Sequence, residues 1–217
     1  MRRFAVSLAA AAIAAAFSHL AAAAEPGYFR VTGVAAGDVL NVRMEPDGKS
    51  EAMDTLAPGA APVEVLEVIV KGAAEWGRVI GPDADGWIAM RFLEPVDVPT
   101  IGDTLIPDGL TCYGTEPFWD LSISSEKGIG ISTPEQTSAS YRLQTAIAAI
   151  ARNDRFSVIG TDGLARITIM LARDNECSDG MSDRNYPWRV DVLRELSESS
   201  DYPHAYEGCC RLPVAGK

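Results

Sequence analysis

Histidine and basic residues are scarce in this 217-residue chain, and no cysteine precedes Cys112. Nineteen Lys and Arg stand against 30 Asp and Glu, a formal net charge of −11. A chain this acidic lacks the electrostatic footprint for nucleic acid, which needs Lys and Arg to neutralise phosphates. Anionic membrane surfaces would repel it for the same reason, and the acidity itself serves solubility. Beyond the first 24 residues, no stretch is apolar for the ~18 residues a membrane-spanning helix needs. No serine lies in a G-x-S-x-G elbow and no C-x-x-C occurs. Besides His19 the only imidazole is His204, too few for the usual Cys/His zinc patterns. Internal repeats and low-complexity tracts are also missing after residue 24.

The N-terminus has an order of its own. Arg2 and Arg3 precede an uninterrupted run of apolar and small residues from Phe4 to Phe17, and Ala21 to Ala24 follow ahead of Glu25. Positive, apolar, then small is the order of a secretory signal, with Ala22 and Ala24 supplying the A-x-A site. Residues 1–24 are therefore expected to be removed, and the mature protein to be periplasmic or secreted. No cysteine occupies the cleavage site, so no lipid anchor is expected there. Loss of Arg2 and Arg3 from the 19 basic residues leaves 17 against the same 30 acidic ones, a balance of −13.

Residues 25–95 read as short strands separated by turns. Tyr28 to Val34, Val39 to Arg43, Val63 to Val70, Trp76 to Ile80 and Trp87 to Met90 are the β-type runs. Pro46-Asp47-Gly48-Lys49 and Gly81-Pro82-Asp83-Ala84-Asp85-Gly86 punctuate them. Such spacing predicts a small barrel or sandwich. Leu40-Asn41-Val42-Arg43, Glu75-Trp76-Gly77-Arg78-Val79 and Asp85-Gly86-Trp87-Ile88, taken with the Pro46 turn, resemble a bacterial SH3 domain. That resemblance implies a five- to seven-stranded barrel and, in many relatives, binding of cell-wall peptides or other envelope ligands. Aromatic side chains and a loop acid commonly line the peptide groove of SH3-like barrels. Asp47, Trp76 and Trp87 are the candidates here, and both tryptophans equally suit the core.

Residues 96–109, with Pro99, Pro107 and Gly102, suit an extended linker, with room for a short strand around Thr104 to Ile106. Residues 110–217 form the second predicted domain. Trp119 to Ser124 alternates, turns at Glu126-Lys127-Gly128 and returns through Ile129-Gly130-Ile131 as a hairpin. Phe156 to Ile159, Ala165 to Ala172 and Trp188 to Leu193 are further strands. Over residues 142–152 two readings compete: Leu143, Ile147 and Ile150 have helical spacing, and the alanines favour helix.

Cys112-Tyr113-Gly114-Thr115-Glu116-Pro117-Phe118-Trp119, the stretch Cys177-Ser178-Asp179-Gly180-Met181-Ser182-Asp183 and the terminal Gly208-Cys209-Cys210 together resemble a family of uncharacterised bacterial envelope proteins. The resemblance spans roughly residues 110 to 212 and implies a compact β-barrel-like domain, which favours strand for 142–152. It brings no assigned reaction. The predicted fold is thus mainly β: a small SH3-like barrel and a second, disulfide-stapled β-barrel-like domain.

Four cysteines in an exported chain suggest two disulfides. A bond between the adjacent Cys209 and Cys210 would close a strained ring. Two pairings remain, each joining Cys112 and Cys177 to one member of the adjacent pair. Closing the loop of about 33 residues from Cys177 would stabilise by roughly 3–4 kcal/mol in the chain-entropy model.

Asp174, Glu176, Asp179 and Asp183 could offer oxygens to calcium, but Asp179 stands where an EF-hand loop requires glycine. The segment reads instead as an Asp/Gly turn capped by its own side chains, and no metal or cofactor is expected. His204 lies in a loop without a nucleophile pattern around it. Trp119, Tyr186 and Trp188 suit a core; beside Glu116, Asp183 and Arg184, exposed Trp119 and Tyr186 would instead offer stacking faces and charged hydrogen-bonding groups. Glycan or peptide suits that chemistry. The expectation is a non-catalytic binding protein for cell-wall peptide, glycan or an envelope protein, with a wall hydrolase or a hydrolase inhibitor as the alternative.

Overall fold

The computed structural model describes residues 24–134, 138–196 and 204–214. The predicted signal segment, apart from its last residue, lies outside the described residues. The chain is nearly all β, in an N-terminal sheet and a C-terminal closed barrel.

The N-terminal sheet has seven antiparallel strands: β1 (Gly27–Val31), β2 (Leu40–Arg43), β3 (Ala52–Leu56), β4 (Val63–Lys71), β5 (Ala74–Ile80), β6 (Asp85–Ala89) and β7 (Leu93–Pro95). Their order is β3-β2-β6-β5-β4-β1-β7. Alternation buries Phe29, Val31, Leu40, Val42, Val65, Val79 and Ile88 in one cluster. Gly77 sits where a Cβ would strike Met90 and Val65, so the core closes against bare backbone there. Strands β3 and β7 carry weak β-signals in sequence and are held by their partners β2 and β1.

The barrel comprises β8 (Leu110–Thr115), β9 (Phe118–Ser124), β10 (Gly128–Ser132), β11 (Ala139–Ala148), β12 (Arg155–Thr161), β13 (Ala165–Ser178), β14 (Asn185–Leu196) and β15 (His204–Arg211). Each strand pairs with the next, and β15 pairs back onto β8. Eight strands leave an interior that side chains fill. Leu121, Ile123, Ile129, Ile167, Ile169 and Val190 do so here, with Trp119, Tyr141, Phe156 and Trp188.

Residues 142–148 are strand, and the chain turns at Ile150 and Ala151. The helical spacing was coincidental: Ile147 and Ile150 face solvent, Ile150 being 98% exposed. The predicted linker does more than connect. Between Pro99 and Asp108 the chain folds on itself, with Thr104 hydrogen-bonded to Ile101 and Asp108 N to Pro99 O. It thereby delivers Ile101 and Ile106 into the barrel core. The stretch Thr104 to Ile106 forms no strand; Thr100 and Pro107 make a single bridge.

The two bodies meet along a seam. The β13–β14 ladder is irregular between Arg173 and Cys177, and irregularities of this kind re-aim side chains. Here Arg173 reaches Glu64 of β4 at 2.8 Å and Asn175 Nδ2 donates to Leu66 O at 2.9 Å. Further along, Asn185 donates through N and Nδ2 to the Asp85 carboxylate, which also pairs with Arg78. Ile80 packs against Cys177, Tyr186 and Cys209.

Candidate functional site

Asp47 and Trp76 come together on the N-terminal sheet. They line a groove of about 770 Å³ with Asp38, Arg43, Lys71 and Arg91. The groove arises because three connections, after β1, between β2 and β3, and between β4 and β5, stand around one end of the sheet. Trp76 is only 7% exposed and forms part of the floor while remaining a packed residue. Asp47 shapes its own turn by accepting from Lys49 N at 2.9 Å. Arg43 donates to Ser50 O across the same turn, and the Arg91 guanidinium lies 4.6 Å from the Phe92 ring centroid. Trp87 is half-buried on β6, in register with Arg43 and Arg78, and is not part of the groove lining.

The second set of predicted residues divides. Trp119, Arg184 and Tyr186 border one groove of about 590 Å³ on the outside of β8 and β9. Trp119 itself is 5% exposed, and its indole N–H donates to Glu207 O at 3.3 Å. A Cβ at Gly114 would strike this indole, and one at Gly208 would strike Tyr113 O and approach the same ring. The absence of a side chain at those two glycines is what makes room for Trp119. Glu116 is exposed in the β8–β9 turn, and Asp183 is drawn away to the seam, where its amide donates to Asp83 O. The exposed aromatics of this face are Phe118, at 65%, and Tyr113, at 37%. Alternation along β9 signals as much, since Trp119, Leu121 and Ile123 must share the inward face.

Asp179 organises the Asp-rich loop. Burial opposes its ionisation, but the amides of Ser182 and Met181 and the hydroxyls of Ser182 and Tyr186 outweigh it and hold the pKa at about 2. Arg184 stands 3.8 Å from the same carboxylate and 5.7 Å from the Tyr186 ring centroid. The loop is thus capped by its own side chain, as an Asp/Gly turn would be. Of the other acids considered for calcium, Asp174 pairs with Arg189 and Asp183 sits on the seam. Among the described residues no group of three or more His, Cys, Asp and Glu is placed to hold a metal ion.

Cys112 is bonded to Cys210 and Cys177 to Cys209, one of the two pairings left open by the sequence. The Cys112–Cys210 bond crosses the β15–β8 closure, and the other ties β13 to β15. His204 Nδ1 lies 3.3 Å from the Tyr206 hydroxyl. Among the described residues no helix is long and apolar enough to cross a membrane.

No protein-family model, curated protein or solved structure matches this chain.

Proposed function

We propose that this chain is an exported, non-catalytic binding protein of the bacterial envelope, and that its N-terminal groove takes a cell-wall peptide or glycan. The observation that carries this reading is the convergence of Trp76, Asp38 and Asp47 with Arg43, Lys71 and Arg91 around one open groove. Charges of both signs beside an aromatic floor suit a ligand with free amino and carboxyl groups, as wall peptides have. The SH3 resemblance points the same way, and two disulfides suit an oxidising compartment.

The test is retention of the oxidised full chain on purified insoluble cell wall. Wild type should be retained, and Asp47→Asn with Arg91→Gln should reduce retention at least tenfold. Absence of wild-type retention, with both disulfides verified, sinks the wall-ligand reading.

One observation favours a hydrolase inhibitor as the second reading. The β11–β12 hairpin presents a nearly fully exposed Ile150 beside Ala151, whose φ of 58° is left-handed. An exposed apolar tip on a hairpin suits insertion into a partner's cleft. Inhibition of a wall hydrolase that vanishes in Ile150→Asp would transfer the function to this loop.

A further inference from the structure

The groove outside β8 and β9 shares no lining residue with the N-terminal groove. Antiparallel register sets out its floor as a grid. Thr111 stands opposite Ser122, Tyr113 opposite Asp120, and Thr115 opposite Phe118, all on the outward side of the barrel. Ser132 continues the Asp120 row onto β10. Tyr113 and Phe118 are thus diagonal neighbours, about 7–8 Å apart at the backbone. Both side chains are exposed, as are Asp120 and Ser122.

The opposite wall is the turn between β13 and β14. Cys177 ties its root to Cys209 of β15, and Thr115 Oγ1 donates to Asp179 O at 2.9 Å. The Asp179 carboxylate fixes the turn from within, through the amides of Met181 and Ser182 and the Tyr186 hydroxyl. A wall held at so many points is in place before any ligand arrives, which lowers the ordering cost of binding. Residues 112–119 and 177–183, the two segments that stood out in the sequence, therefore meet across one groove. Its charged residues are Asp120 and Asp179 with Arg184 and Arg211, two of each sign.

Three features select the ligand. The floor strands β8, β9 and β10 each have a neighbour on both sides, so a peptide finds no edge to extend by main-chain hydrogen bonds. The lining charges balance, which favours an uncharged molecule, and the chain's net charge of −11 opposes an anionic polymer. Exposed aromatic faces set among a carboxylate and hydroxyls match a sugar ring, apolar on its C–H faces and polar around its edge. We propose that this groove binds an uncharged, flat β-1,4-linked oligosaccharide. Tyr113 and Phe118 take the faces of its rings, and Asp120, Ser122 and Ser132 take ring hydroxyls. Plain and N-acetylated chains share this chemistry. The inference does not rest on the N-terminal groove, so either assignment can fail without the other.

The experiment is calorimetric titration of the oxidised full chain with cellotetraose, the N-acetylglucosamine tetramer, tetragalacturonate and tetraalanine. Saturable binding of either uncharged tetrasaccharide, at least tenfold tighter than the acidic sugar or the peptide, is the expected result. Phe118→Ala should weaken it about tenfold, equivalent to about 1.4 kcal/mol. That side chain is 65% exposed, so the variant should keep its fold, which a thermal melt verifies. Amide NMR of the wild type locates the site without any variant: shifts should be confined to residues 111–122, 130–132 and 179–186. Failure of both uncharged tetrasaccharides to bind at millimolar concentration overturns the inference. So does tetragalacturonate or tetraalanine binding as tightly, or Phe118→Ala binding like wild type. Shifts centred on Trp76 and Asp47 also overturn it and move sugar binding to the N-terminal groove.

Discussion

Arg173 of the barrel donates from Nη1 to Oε1 of Glu64 on the N-terminal sheet at 2.8 Å, while its guanidinium lies 4.9 Å from the Trp188 ring centroid. Burial pushes the Glu64 carboxyl upward in pKa against the opposing pull of Arg173. Such a pair is costly to halve and cheap to replace. Arg173→Met is expected to lose about 3 kcal/mol or more by stranding a buried carboxylate. The double variant Glu64→Gln with Arg173→Met should recover most of that loss. Urea unfolding of the three variants beside wild type decides it, and additive losses would contradict the coupling.

The acid limb of stability should carry the mark of Asp179. Its folded pKa of about 2 lies below the ordinary value of 3.8. The unfolded chain therefore takes up the proton first as pH falls. The stabilisation is complete above about pH 5 and disappears as pH drops through 2, amounting to about 1–2 kcal/mol after allowance for solvent screening. Glu64 has the opposite sign: its raised pKa is a penalty above that value, relieved on acidification. Asp179→Asn should flatten the stability profile between about pH 5 and 2, measured by denaturant midpoint at each pH.

Gly114→Ala should be harmful although it adds one methyl group. The new Cβ lands on the Trp119 indole, whose N–H is committed to Glu207 O. A loss of about 1–3 kcal/mol is expected from overpacking. A shift in tryptophan fluorescence should accompany it. Gly27→Ala, where a Cβ meets nothing within 4 Å, serves as the control.

Residues 96–109 should prove inseparable from the barrel. Ile101→Ala and Ile106→Ala are each expected to cost about 2–5 kcal/mol, the range for buried isoleucine truncation. A chain beginning at Leu110 should melt well below one beginning at Val96. Equal melting temperatures would show that the segment is a tether only.

The two disulfides should differ in weight. Cys112 and Cys210 are 98 positions apart, and Cys177 and Cys209 are 32 apart. Chain entropy assigns about 4.7 kcal/mol to the longer closure and about 3.7 to the shorter. Paired Cys→Ala variants, unfolded in urea, should preserve that order.

Much of the strand inventory was legible because alternation and Asp/Gly turns act locally. Between β12 and β13, Asp162 Oδ1 accepts from the amides of Leu164 and Ala165, two and three positions on. Strand β15 escaped notice because Ala205, Gly208 and the two cysteines carry little β-signal; β14 and β8 hold it from either side. The same limit explains the site residues. Trp76 and Asp47 share a groove, which distance along the chain could not reveal. Asp183 looked available because its seam partner, Asp83, lies 100 positions away. Arg211 carried no local motif and acquires its setting only when β15 closes the barrel.

Adjacent cysteines on a strand point to opposite sides, so Cys210 enters the barrel core while Cys209 joins the outer cluster of Cys177 and Tyr186. The final strand is consequently riveted through both faces. A slip by one residue would turn Cys209 inward and Cys210 outward, and neither could meet its partner without displacing the strand. Both bonds can therefore be present together only with the last strand in its proper alignment.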